Sequence, residues 1–218
     1  MNSGTQRSAS RLAVVGLYNS GSTTVAGMLH RLGVNMGPPF WKTSGEDAEE
    51  NYYEPYDLAW HLRHWWDEPR MAERTPAALR IGILRQWVRL QECISGSPVG
   101  AKHPLLSLCC NDLMTAWSTA LRLIWVWRPL AASIAGLQRR RWFSGHESPL
   151  QHCLWRSLEQ FEAEHPGLLH RVDWESVLAN PKQAAEQLAR LAEISPTPQQ
   201  LTEATRYVRQ PLPGRSRT

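Results

Sequence analysis

Lysine is scarce in this chain: Lys42, Lys102 and Lys182 are the only ones among 24 basic residues. Any chemistry that needs an ammonium group has few places to find it. There is no long basic run and the net charge is only +4, which argues against a dedicated nucleic-acid binder and leaves room for a small anionic ligand. Cysteine is sparse as well. Cys93, Cys109, Cys110 and Cys153 have neither disulfide-framework nor zinc-ligand spacing, so no metal is expected and a cytoplasmic, reducing location fits. No run of roughly 18 apolar residues occurs, so no membrane partner is expected. The first ten residues, MNSGTQRSAS, lack the apolar centre of a signal peptide and read as a flexible tail. What remains is ample: 218 residues at 42% hydrophobic content can bury one full core. The expected division is a single domain over residues 11–194, then a Pro/Arg-rich segment over 195–218.

The domain opens on RLAVVGLYNSGSTTVAGMLHRLGVNMG, residues 11–37. Leu12 to Val15 is a short buried-strand pattern, Gly16 ends it, and apolar residues at Val25, Met28, Leu29 and Leu32 predict a helix that stops at Gly33. Between them lies a loop of small residues. Such a loop aims backbone N–H groups, the hydroxyls of Ser20, Ser22, Thr23 and Thr24, and the positive end of a helix dipole at one spot. An oxyanion is the natural occupant. A simpler reading also stands: the first strand and helix of an α/β sheet, with serines capping the helix. A nucleoside-triphosphate loop would read G-x-x-x-x-G-K-[ST]; Gly16, Gly21 and Thr23 fit it, but Ser22 stands where its lysine belongs.

Three further stretches carry signal. Residues 38–66 are polar and aromatic, with a loop first and a helix from Pro55; Trp41, Tyr52 and Tyr53 fall in the loop, where flat rings can stack on a ligand, whereas Trp60 reads as packing. Residues 99–108, VGAKHPLLSL, place Lys102 and His103 before a stiffening Pro104, and side-chain alternation would point the two opposite ways. Leu121 to Trp127 is a strand pattern closed by Arg128 and Pro129, with a helix after it. Helices are also predicted over residues 77–94, 150–164 and 182–194, and a strand over 167–173.

In this order these stretches resemble the sulfotransferase family. Gly16, Ser20, Gly21, Ser22 and Thr23, followed by Leu29, Leu32, Gly33, Val34 and Gly37, are similar to its 5′-phosphosulfate loop, except that Asn19 replaces a basic residue that contacts the sulfonate. Asn51-Tyr52-Tyr53-Glu54 is similar to its G-Y-[YFW]-E segment and makes Glu54 a candidate base. Lys102-His103-Pro104 looks like its G-x-K-[DH]-P segment, offering a cation for the transferring group and a second candidate base in His103. Arg128 matches its 3′-phosphate ligand. The partner serine, eight residues on, falls at Gly136, and Ser133 lies one turn earlier on the same helix face. Arg215 in the tail resembles a basic residue that covers the same phosphate.

The resemblance implies a three-layer α/β/α sandwich with a mainly parallel sheet of the phosphate-loop nucleotide-binding type. It implies transfer of a sulfonate from 3′-phosphoadenosine 5′-phosphosulfate (PAPS) to a hydroxyl or amine of a small-molecule or carbohydrate acceptor, without a metal. Two alternatives stay open: a catalytically weakened relative that binds a nucleotide or partner, and a phosphate-loop small-molecule kinase. The acceptor and the oligomeric state are not legible in the sequence.

Overall fold

Leu12, Ala13, Val14 and Val15 are fully buried, because the first strand runs through the middle of the sheet. The computed structural model describes residues 10–41, 52–67, 71–95, 98–143 and 145–209. In chain order the elements are β1 (Arg11–Gly16), α1 (Ser22–Arg31), α2 (Tyr56–Trp65), β2 (Trp66–Asp67), β3 (Ala72–Glu73), α3 (Ala77–Ser95), β4 (Val99–Lys102), α4 (Cys110–Trp117), β5 (Leu121–Trp127), α5 (Leu130–Arg140), α6 (Glu147–Glu164), β6 (Leu169–Asp173), α7 (Trp174–Ala179), α8 (Pro181–Leu191) and α9 (Pro198–Arg209). β2 and β3 form a short antiparallel pair of their own.

The main sheet is parallel, in the order β4-β1-β5-β6. Side chains alternate across it, so each strand feeds two cores. Ala13, Val15, Leu123 and Trp125 meet Leu84, Leu113, Leu154 and Phe161 on one face. Leu12, Val14, Ile124 and Val126 meet Val25, Leu29, Leu188 and Ala204 on the other. This is the expected α/β/α sandwich. The chain passes from β1 to β4 on one side and then crosses back to β5 on the other. The strand order therefore reverses beside the carboxyl end of β1, the place where such sheets bind ligands.

Four local expectations change. Helix α6 starts at Glu147 rather than residue 150, since Pro149 in its first turn lacks only an N–H that has no intrahelical partner there. Beyond residue 194 the chain forms α9, which lies on α1: Tyr207 fills the space over Gly27, with the Arg31 guanidinium 3.9 Å from its ring centre. Burying a side chain of that size contributes about 2 kcal/mol. Leu201, Ala204 and Val208 recur at helical spacing and carry the signal for this helix. Trp60 is not core; it is 48% exposed, beside His61 and His64. Tyr53 is core, 1% exposed.

Candidate active site

The loop after β1 is built to leave donors unused. Ser20 N–H donates to Leu17 O at 3.2 Å, and the N–H groups of Thr24 and Val25 donate to Gly21 O. Those of Asn19, Gly21, Ser22 and Thr23 have no partner among the described residues. Gly21 is the N-cap of α1, left-handed at φ 94°, and no side chain caps the helix. The serines are thus not caps, contrary to the simpler reading. A Cβ at Gly21 would lie 2.2 Å from the Trp174 ring, so glycine alone fits this turn. Ser22 and Thr24 are buried in the first turn of α1 and Thr23 is half-buried.

Two residues far away in sequence hold this loop. Ser107 Oγ accepts from Gly16 N–H at 3.0 Å and donates to Gly16 O at 3.1 Å. Gln151 Oε1 accepts from Tyr18 N–H at 3.1 Å, and its Nε2 donates to Tyr18 O at 2.7 Å. Neither was read as a site residue from the sequence. The available signal was a buried glutamine between Leu150 and Leu154 on the apolar face of α6.

Arg128 closes β5 next to this loop and donates from Nη1 to Asn19 O at 2.9 Å. Its Nε, together with Ser20 Oγ, Ser133 Oγ and His103 Nε2, is a buried polar atom with no hydrogen-bond partner among the described residues. Such atoms are rare in folded proteins and costly to leave unpaired. Three of the four lie where the ends of β1 and β5 adjoin. A guanidinium, two hydroxyls, free N–H groups and a helix N-terminus make a donor set that fits phosphate or phosphosulfate oxygens. Gly136 lies on the buried face of α5, one turn beyond Ser133.

Beyond β4 the chemistry changes. Lys102 is the last residue of the strand and is 2% exposed. Its Nζ donates to Glu54 Oε1 at 2.7 Å. His103 begins a 3-10 turn over Pro104–Leu108, and its Nδ1 accepts from Leu105 N–H at 3.0 Å. That bond assigns the neutral ring's proton to Nε2. Nε2 stands 3.6 Å from Glu54 Oε2, too far for a hydrogen bond. Lys102 and His103 therefore both reach Glu54 despite the expected alternation; β4 ends at Lys102, and His103 already belongs to the turn that follows.

Burial pushes the Glu54 carboxyl up, but Lys102, then His103 and Arg63, attract its charged form and hold it below the ordinary range. Burial lowers His103 to about 4; Glu54 opposes this, while Lys102 and Arg63 reinforce it. Near neutral pH Glu54 is a carboxylate and the His103 imidazole is neutral. Arg63, from α2, is a contributor that the sequence reading missed.

Aromatic rings surround this cluster. Tyr18 stands 6.5 Å from the His103 ring and 5.0 Å from Phe143, and Tyr52 lies 5.7 Å from Lys102 Nζ and 6.0 Å from Trp142. Of the rings expected to stack on a ligand, Tyr52 stays at the site. Tyr53 turns into the core, where its hydroxyl accepts from Arg31 at 2.6 Å, and Trp41 stacks on Tyr56. Arg215 and Asn51 lie outside the described residues. A cavity of about 700 Å³ bounded by Leu108, His152, Cys153 and Arg156 includes none of the candidate residues.

By sequence, the chain matches no family model and no curated protein. By structure, it is similar to a sulfotransferase of Mycobacterium avium, at TM-score 0.64 and 12% identity over 92% of this chain and 68% of the other. A sulfotransferase of Mycobacterium tuberculosis superposes at 0.57 and 15%, covering 90% and 71%. The sulfotransferase domain of the Synechococcus PCC 7002 olefin synthase gives 0.56 and 16%, covering 93% and 80%. The chain has the sulfotransferase fold.

Proposed function

We propose that this protein transfers a sulfonate from PAPS to a hydroxyl or amine of a small-molecule or carbohydrate acceptor. The observation that carries the reading is the set of buried donors with no hydrogen-bond partner among the described residues, Ser20 Oγ, Ser133 Oγ and Arg128 Nε (the last 4.0 Å from Glu175 Oε1), at the reversal point of a sulfotransferase-type sheet. PAPS supplies the sulfonate already activated on a phosphate leaving group, so the chain's task is positioning and charge stabilisation. Ser20, Gly21, Ser22, Thr23 and Thr24 hold the phosphosulfate end through amides and hydroxyls. Arg128 and Ser133 hold the 3′-phosphate.

Glu54 is the base. Its Oε1 is committed to Lys102, and Oε2 is open to an acceptor proton. His103 cannot take that proton through Nδ1, which is occupied, and carries a proton on Nε2 already. It acts as a donor that orients the acceptor oxygen toward Glu54. Lys102 supplies the cation that Asn19 does not, since a charge-assisted bond is about twice as strong as a neutral one. Tyr18, Tyr52 and Trp142 present ring faces and edges to the acceptor.

A second reading rests on one observation: the Lys102 charge is already balanced by Glu54, and Asn19 brings none. A nucleotide-binding relative without turnover is compatible with that pairing. Single-turnover transfer of labelled sulfonate to phenols, sugars and amino sugars separates the two. Transfer by wild type, lost in Glu54→Gln and retained within about tenfold in His103→Asn, supports the mechanism. Binding of PAPS with transfer to none of them supports the second reading.

A further inference from the structure

Asn19 and Gly136 each depart from the pattern that the rest of the loop and α5 follow, and the structure puts them in contact. A Cβ built on Gly136 would lie 1.6 Å from Asn19 Nδ2, so the asparagine amide occupies the space that a side chain at position 136 would fill. Arg139 Nη2 is 3.7 Å from the same point. Asn19 is left-handed at φ 61°, a conformation asparagine tolerates better than most residues, and Arg128 Nη1 holds its carbonyl at 2.9 Å. Its backbone is thus fixed while its side chain reaches across to α5. No hydrogen bond engages that amide among the described residues. Beside it on the same helix face is Ser133, fully buried, with its hydroxyl unpartnered.

We infer that Asn19 is a ligand of the nucleotide's 3′-phosphate, not a weakened sulfonate contact: its amide supplies from the loop the donor that α5 lacks at Gly136. The inference rests on the function proposed above. Loop and helix then close on one phosphate with Asn19 and Arg128 on one side, Ser133 and Arg139 on the other. The glycine is what admits the amide. Any side chain at position 136 displaces the flexible end of Asn19 and leaves the backbone in place.

The test is the ratio of affinities for adenosine 3′,5′-bisphosphate and AMP, measured by titration on the full chain. Asn19→Gly keeps the left-handed backbone without strain and removes the amide. It should cut the bisphosphate preference about tenfold or more, the worth of one hydrogen bond to a charged group, and leave AMP affinity unchanged. Gly136→Ala, which evicts the amide, should cut it equally, and the two together no further, because both remove the same donor. Asn19→Gly with Gly136→Ser returns a hydroxyl to the vacated space and should restore the preference; thermal unfolding confirms that each variant is folded. A bisphosphate preference that survives Asn19→Gly, or losses from the two single changes that add, overturns the inference and leaves the function standing. Equal wild-type affinity for the two nucleotides overturns both.

Discussion

Of two clusters of buried charge in this fold, only one is unfinished. In the first, Arg80 of α3 donates from Nε to Asp112 of α4 at 2.6 Å and from Nη1 to Thr75 O at 2.6 Å, and also pairs with Glu73. Both Arg80 and Asp112 are 7% exposed. Its polar groups are spent on one another, tying two helices to the β2–β3 pair. In the second, Lys102 satisfies one oxygen of Glu54, while His103 Nε2, 3.6 Å from the other, has no hydrogen-bond partner among the described residues. Each holds a buried cation against a buried carboxylate. What separates a structural tie from a candidate site is leftover hydrogen-bonding capacity, and the junction of β1 and β5 shows the same mark at Ser20, Arg128 and, on α5, Ser133.

The largest expected effect tests the finished cluster. Arg80→Ala leaves Asp112 buried without its partner and should cost about 3–5 kcal/mol of stability in denaturant unfolding. Bisphosphate affinity should stay within about twofold, as for a residue remote from the ligand. If Arg80→Ala weakens binding as much as it weakens the fold, the contrast between the clusters fails.

The unfinished cluster should answer differently. Lys102→Ala should lower single-turnover sulfonate transfer at least about 100-fold with bisphosphate affinity nearly unchanged, as expected of an interaction that matters mainly in the transition state. It also removes the main attraction holding the Glu54 carboxyl down, so the acid limb of the pH–rate profile should move upward. Wild-type turnover in Lys102→Ala removes Lys102 from the mechanism.

A smaller effect is thermodynamic. His103 binds its proton only near pH 4 when folded, against about 6.5 when unfolded. Between those values the unfolded chain holds the extra proton, so stability rises with pH by up to about 1.4 kcal/mol per unit and levels off above 6.5. Glu54, lowered in the fold, adds a loss in the same direction as pH falls through its own folded value. In His103→Asn the slope between pH 6.5 and 4 should shrink by the histidine's share. An unchanged slope means that the ring is not buried neutral.

Much of the fold was legible in the sequence because local patterns suffice for it. Leu12 to Val15 and Leu121 to Trp127 are apolar strand runs closed by Gly16 and Arg128, and β1 and β5 lie there. The helix α9 was hidden behind Pro196 and Pro198, although its apolar spacing was present. For the candidate site the sequence offers individual residues but not their pairings. Glu54 and Lys102 are separated by 48 positions, and their ion pair depends on how the segment leading into α2 meets the end of β4. Asn19 and Gly136 read as two separate departures, since only the folded loop brings one into the space left by the other. Ser107 and Gln151 carry no motif at all; they support the loop by hydrogen bonds to its backbone, which any residue sequence presents.

The central claim is that the donors left free after β1 and β5 await a nucleotide with phosphates at two positions. Calorimetric titration of the wild-type chain with adenosine 3′,5′-bisphosphate, ADP, and ATP with Mg²⁺ tests it most directly. The expected result is tighter binding of the bisphosphate than of either other nucleotide, through Arg128 and Ser133. Equal affinities, or preference for ATP with Mg²⁺, would contradict it and favour a phosphate-loop kinase.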